Sequence, residues 1–372
     1  MIESEKAMNL TKPLWLMAII VSLMLFSNEV SAHEWHRHGE HHHHHGHDDS
    51  SSKEIQVKIK IPNTEPYYIL TNAVQQRSAG SKPDIAAHFE HFKNVKVRWD
   101  ASTLFVESNG LPDHNMMVGI RSWQQQVPLP QPFTGNNAWQ VPLQPKLADR
   151  PISAKTNLYR GAIALAVNGV PIFNALNNRG EDAYLAGELD RWGGHCGRGD
   201  DYHYHMAPVH LQEVVGKGNP IAFALDGFPI YGLTEADGSS VGKLDELNGQ
   251  FDKDGNYHYH ATKTYPYING GLRGVVLVRG DQVEPQPRDS PVRPPFEPLR
   301  GAVIKSFKTN GIQSTLTYQI NTRTGTVSYV PNGANAFRFT YREPGGRTWS
   351  QTYNRRPRPD QGNRPALRRP RR

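Results

Sequence analysis

The chain of 372 residues has one cysteine, Cys196, so no intramolecular disulfide can form, and stability must come from burial, hydrogen bonds or bound metal. It has no long apolar run. The longest, Leu14 to Phe26, is 13 residues, short of the ~20 that a transmembrane helix needs. There is no Gly-x-Ser-x-Gly elbow, no P-loop and no dinucleotide fingerprint, which removes the commonest hydrolase, nucleotide and nicotinamide readings. No long amphipathic helix is present either, while 33 Gly and 28 Pro punctuate the chain throughout.

The folded part is also poor in net charge. The whole chain carries 42 Lys+Arg against 35 Asp+Glu, for a net +7. The tail from Arg355 to Arg372, with eight Arg and one Asp, accounts for +7 by itself. Residues 1–32 carry −1, which leaves +1 for residues 33–354. A specific nucleic-acid binder would carry its basicity on the folded surface, so that class is not expected. The Arg/Pro tail instead suits salt-sensitive contact with an acidic cell-surface polymer.

What is present begins with a leader. Lys6 and Lys12 precede the apolar run, and Val30-Ser31-Ala32 follows in the small-x-small pattern of a cleavage site. Residues 1–32 therefore read as a secretory signal peptide, giving an exported protein (periplasmic, cell-surface or extracellular) with no transmembrane helix in the mature chain. Directly behind lies a low-complexity segment, 33–54, holding His33, His36, His38, His41, His42, His43, His44, His45 and His47, half of the protein's 18 histidines. It cannot bury a core, and it reads as a disordered, metal-collecting tail.

Beyond it the expected class is mainly β with irregular loops: a β-sandwich or barrel-like core over 55–282, a Pro-rich linker over 283–300, a small C-terminal β-meander over 301–354 and the basic tail over 355–372. Alternating apolar residues mark strands at Lys53–Ile61, Val95–Trp99 and Thr103–Val106. Hairpin-like segments break at Asn168-Gly169 and Asp226-Gly227, and Glu181–Leu189 reads as a short helix.

One tetrapeptide occurs twice, Tyr202-His203-Tyr204-His205 and Tyr257-His258-Tyr259-His260. At this composition chance supplies ~10⁻³ copies, so the pair is an internal repeat. On a strand, alternate side chains share a face, which puts His203 with His205 and His258 with His260, the tyrosines facing the other way. If the two strands are neighbours, four imidazoles converge on one patch. Neutral imidazole suits copper or zinc, and no thiolate cluster competes. His195 in Gly193-Gly194-His195 or His114 in Asp113-His114 completes the ligand set, and Asp226, Tyr204 and Tyr259 are expected to orient the ligands from behind. The same histidines equally fit acid/base catalysis without metal on a polar substrate, or a hydrogen-bonded core in a purely structural surface or adhesion module. Cys196 beside His195 admits a Cys/His nucleophile, though adjacent residues rarely face each other productively.

The two YHYH blocks, with GLPDH at 110–114, AVNGVPIF at 166–173, GGH at 193–195, LDGFPIYG at 225–232 and PYINGGLRG at 266–274, resemble the YHYH-domain family over about residues 104–280. That is a group of secreted or exported proteins with no settled activity. The resemblance implies that His203, His205, His258 and His260 belong to the defining motif, with His114, His195 and Asp226 in matching blocks. Members commonly carry a cysteine in the LDELNG block and another before LRG. Here those positions are Leu247 and Gly271, so the disulfide that the resemblance implies is absent.

Overall fold

The computed structural model describes residues 80–355. The expected leader, the histidine tail, the Lys53–Ile61 strand and residues 356–372 lie outside the described residues. Within them the chain is mainly β, in five open sheets, and no sheet closes into a barrel.

A short helix α1 (Asp84–Phe89) precedes β1 (Lys96–Trp99) and β2 (Thr103–Glu107), which pair antiparallel with β3 (Trp139–Pro142). The link from 108 to 138 is irregular yet buries Ile120, Trp123, Val127 and Leu129, so its backbone is held by packing rather than by a ladder. Next come β4 (Leu147–Ser153), β5 (Ala162–Ala166), β6 (Pro171–Phe173), β7 (Gly194–Cys196) and β8 (Tyr202–Tyr204). They are followed by β9 (Ala222–Ala224), β10 (Pro229–Tyr231), β11 (Gly249–Phe251) and β12 (Tyr257–His260). The chain then forms β13 (Gly271–Gly274), β14 (Leu277–Arg279) and β15 (Gln282–Glu284). Residues 181–189 form turns, not the expected helix. Asp182 Oδ1 accepts the amides of Tyr184 at 2.9 Å and Leu185 at 3.1 Å, and Gly187 takes a positive φ of 73°.

The central sheet has eight strands in the order β11-β12-β10-β9-β5-β6-β8-β7. Read from its middle outward, it is the same unit twice. Each half is a hairpin (β5-β6 or β9-β10), then a strand parallel to the hairpin's second arm (β8 or β12), then an antiparallel edge strand (β7 or β11). The halves meet at the β5–β9 pair, where Leu225 N–H donates to Ile163 O at 2.9 Å and Val167 N–H donates to Ile221 O at 3.0 Å, a reciprocal exchange between equivalent positions. The sequence correspondence extends well beyond the tetrapeptides. Asn168-Gly-Val-Pro-Ile-Phe173 matches Asp226-Gly-Phe-Pro-Ile-Tyr231, and Asp190-x-x-x-Gly194 matches Asp245-x-x-x-Gly249.

The core explains the composition. β5 is buried along its whole length (Ala-Ile-Ala-Leu-Ala), as expected for a mid-sheet strand covered on both faces. The tyrosines of both repeats are buried behind the sheet, Tyr204 and Tyr259 completely. Five longer strands, β16 (Ala302–Asn310), β17 (Gln313–Ile320), β18 (Arg323–Pro331), β19 (Ala336–Arg342) and β20 (Thr348–Asn354), form an antiparallel meander in sequence order. It packs on the irregular 117–129 segment: Ile304 N–H donates to Ile120 O at 3.0 Å, and the Tyr329 hydroxyl bonds the carbonyl of Pro128. In the Pro-rich stretch before it, Val283, Ser290, Val292 and Arg293 are buried. Leu247 and Gly271 lie side by side, a Cβ on Gly271 falling 2.9 Å from Leu247 Cδ2.

Candidate metal centres

The outer strands of the central sheet set up two clusters. In the β7–β8 pair His195 stands opposite His203 across the ladder. Cross-strand partners share a face, and so do residues two apart, so His205 joins them. The three rings make a compact group, with centroids 4.8 Å apart for His195–His203 and His195–His205 and 5.0 Å for His203–His205. Their nitrogens all lie within 4.8 Å of one another.

Each imidazole is tied behind by its second nitrogen. His203 Nδ1 donates to Asp201 O at 3.0 Å, and His205 Nδ1 donates to Asn174 O at 2.5 Å. His195 hydrogen-bonds the backbone of Glu188 while its Nε2 lies 3.0 Å from His205 Nε2. A carbonyl can only accept, so these contacts fix the tautomer and leave Nε2 lone pairs aimed inward, the arrangement that outer-shell partners impose on ligating histidines. Burial, with the neighbouring imidazoles adding to it, pushes the His195 pKa well down and that of His205 to about 3. Both rings are therefore neutral, as a ligand must be. Phe173 stacks on His203 at 4.0 Å, closing one side. A cavity of about 180 Å³ is lined by the triad and Phe173 together with Trp123, Asn177, Arg179 and Glu188.

The second cluster lies on the opposite flank. In the β11–β12 pair the residue facing His258 is Gln250, and Glu235 reaches in from the loop after β10. His258, His260 and Glu235 have ligand atoms within 4.8 Å of one another, with Glu235 Oε2 3.3 Å from His260 Nε2 and 3.8 Å from His258 Nε2. His260 Nδ1 donates to Gly232 O at 3.1 Å. Burial raises the Glu235 carboxyl, but the Gln250 hydrogen bond and the facing imidazoles outweigh it and hold the pKa below its usual value.

Four imidazoles therefore do not share one patch. β8 and β12 are separated by four strands, which at ~4.8 Å per step puts the two clusters roughly 24 Å apart. His195 lies with the first pair. His114 lies elsewhere: its Nε2 is 2.7 Å from the Tyr204 hydroxyl, and its ring stacks on Trp192 at 4.7 Å, on the other face of β8. Asp226 touches no histidine; it accepts the Tyr259 hydroxyl at 2.6 Å and Gly274 N–H at 2.9 Å. Its counterpart Asn168 donates to the Tyr204 hydroxyl at 3.1 Å. These residues brace the tyrosine wall, and the wall in turn holds the histidine strands. Cys196 is not an activated nucleophile, because burial and the carboxylates of Asp200, Asp201 and Asp190 push its thiol well above its ordinary value. The sequence reading missed Glu235, Gln250 and Asn177. Their signal was the PIF/PIY correspondence, which carries the repeat back 30 residues before each tetrapeptide.

Residues 138–241 match the family model described as YHYH protein. The match includes the first tetrapeptide and Glu235, and the second tetrapeptide lies beyond it. No curated protein and no solved structure matches the chain. The match thus spans β3 to the loop after β10, taking in the first histidine cluster and, from the second, Glu235.

Proposed function

We propose that this is an exported metal-binding protein whose His195, His203 and His205 hold a divalent transition ion, copper or zinc. The observation that carries this reading is the triad itself: three imidazoles converge, each tied at the back to a backbone carbonyl, beside an open cavity. Three imidazole nitrogens suit zinc or copper, and a three-histidine set that leaves a fourth position toward a cavity is the form of a catalytic rather than a closed structural site. When bound, such an ion supplies Lewis-acid polarisation. The chain itself contributes a polar mouth in which Asn177 and Arg179 bond Glu188 at 3.2 and 2.5 Å. The histidine tail raises the local metal concentration, and the Arg-rich tail tethers the protein to an acidic surface.

The test is metal content. With the nine histidines from His33 to His47 replaced by alanine, the chain is stripped with chelator, offered Zn(II) or Cu(II), desalted and analysed for bound metal. Loss of one retained ion in His203→Ala and His205→Ala is expected, and retention that these variants leave unchanged, or no retained metal, refutes the reading. The cavity also favours one alternative, acid/base chemistry by the same histidines, which predicts activity that survives chelation. For the Arg tail, deletion of 356–372 is expected to abolish binding to an anionic polysaccharide at low salt while leaving metal content unchanged.

A further inference from the structure

The second cluster is not a remnant of the first. Superimposing the repeats by their hydrogen bonds gives a four-position site in each half. His203 corresponds to His258 and His205 to His260, while His195 corresponds to Gln250 and Asn177 to Glu235. Several scaffold bonds around these positions recur in both halves. Tyr202 donates to Asp190 Oδ2 and Tyr257 donates to Asp245 Oδ2, both at 2.8 Å. His205 N–H donates to Gly193 O at 2.8 Å, and His260 N–H donates to Asn248 O at 2.9 Å. Asn177 N–H and Glu235 N–H close the same turn, onto Glu181 O at 2.8 Å and Ser239 O at 3.0 Å. Against this background two of the four site positions differ in kind. At 177/235 the first half has an amide where the second has a carboxylate, and at 195/250 the second has an amide where the first has an imidazole.

The atoms of the second site point to a cation. Gln250 Nε2 lies 2.5 Å from Glu235 Oε1, 3.3 Å from His258 Nε2 and 3.4 Å from His260 Nε2. The His260 Nδ1 proton is committed to Gly232 O, so its Nε2 is an acceptor. An anionic oxygen and the His260 Nε2 acceptor thus converge on one amide group, with His258 Nε2 beside them. His260 is wholly buried and the His258 side chain is one-tenth exposed, while Glu235 stays one-quarter exposed and open to an entering ion.

We infer that Glu235, His258 and His260 form a second metal site, bearing one more negative charge than the first, so that the chain binds two ions of different preference. An all-imidazole set favours copper and zinc. Two imidazoles with a carboxylate shift the balance toward harder divalent ions such as Fe(II), Mn(II) and Co(II), the ligand set of the facial triad. The inference shares the metal-binding premise of the proposed function but uses none of its ligands, so each can fail alone.

Cobalt(II) is the probe, because its visible absorption reports coordination number and its uptake can be counted. The chain with the nine tail histidines replaced by alanine is titrated with Co(II), with visible spectra and bound metal both recorded. Two ions per chain are expected, with two distinct spectral components. Glu235→Gln should weaken one of them by at least about 100-fold and leave the other, which in turn disappears in His203→Ala. Gln250→His, which restores the missing imidazole, should tighten the second component and shift its spectrum toward that of the first. Its folding is checked by thermal melting, as for the other variants. One ion lost in His203→Ala but indifferent to Glu235→Gln and Gln250→His overturns the second site and leaves the first. One ion lost only in Glu235→Gln overturns the first and leaves the second.

Discussion

Acidifying the metal-stripped protein should destabilise it through His205. In the folded state burial and the facing imidazoles hold this ring at a pKa of about 3, whereas the unfolded chain carries it at the ordinary 6.5. Between those values the unfolded state takes up a proton that the native state refuses, so native stability falls as pH falls. The contribution is fully present above pH ~6.5 and is lost progressively toward pH ~3. At pH 5 the unfolded imidazole is almost entirely protonated and the folded one almost entirely neutral, which costs about 2 kcal/mol relative to pH 7.5. His195 is displaced in the same direction and adds to the loss. The assay is urea unfolding followed by far-UV circular dichroism at pH 7.5, 6 and 5, in chelator. His205→Gln keeps a donor for Asn174 O without a titrating group, so its unfolding free energy should lose about 2 kcal/mol less than wild type over that range. Saturating zinc at 100 times its dissociation constant should add about 2.7 kcal/mol at pH 7.5 and progressively less toward pH 5, because a protonated imidazole cannot ligate. Parallel pH profiles for wild type and His205→Gln would refute the assignment of a buried, neutral ring.

Gly194→Ala and Gly249→Ala should each destabilise by about 2–3 kcal/mol in thermal or urea melts. The new Cβ falls on the hydroxyl of Tyr202 or Tyr257, with Tyr202 Cζ at 2.6 Å and Tyr257 Cε1 at 2.8 Å, and each ring is pinned by its aspartate. The duplicated tyrosines should respond unequally. Tyr259→Phe removes a 2.6 Å bond to buried Asp226 and strands the Arg273 amide, at about 3 kcal/mol, whereas Tyr204→Phe loses only contacts to Asn168 and His114, at about 1 kcal/mol. Equal costs in a urea melt would contradict this difference. Arg293→Met should cost about 3–5 kcal/mol, because it leaves Asp200 buried without its bidentate partner, both contacts being 2.8 Å. A melting temperature within a degree or two of wild type would show that Asp200 finds another partner.

The β class and the two histidine strands were legible because they are local properties. Alternation along Tyr202–His205 and Tyr257–His260 needs only the strand's two-residue period, and the burial of both tyrosine pairs follows from it. The distance between the clusters was not legible, because it depends on strand order. Each tetrapeptide strand lies parallel to the second arm of its own hairpin, so the two are driven to opposite flanks instead of becoming neighbours. The turn at 181–189 misled for a local reason: Glu181, Ala183, Leu185 and Ala186 are good helix formers, but Gly180 and Gly187 at positive φ stop any helix there.

The identity of the remaining ligands was hidden more deeply. The tetrapeptide marks only two of four site positions in each half, and the other two arrive from a facing strand and from a loop more than 20 residues upstream. Yet the internal repeat supplies a comparison that a single sequence otherwise lacks. Had the duplication been retained for core packing alone, the differences between halves should fall on the surface and the buried histidine faces should match. Instead the Tyr202–Asp190 and Tyr257–Asp245 braces match, while differences fall at 168/226 behind the tyrosines and at 195/250 and 177/235 on residues that face the imidazoles. One scaffold thus presents two different sets of polar groups beside its paired histidines.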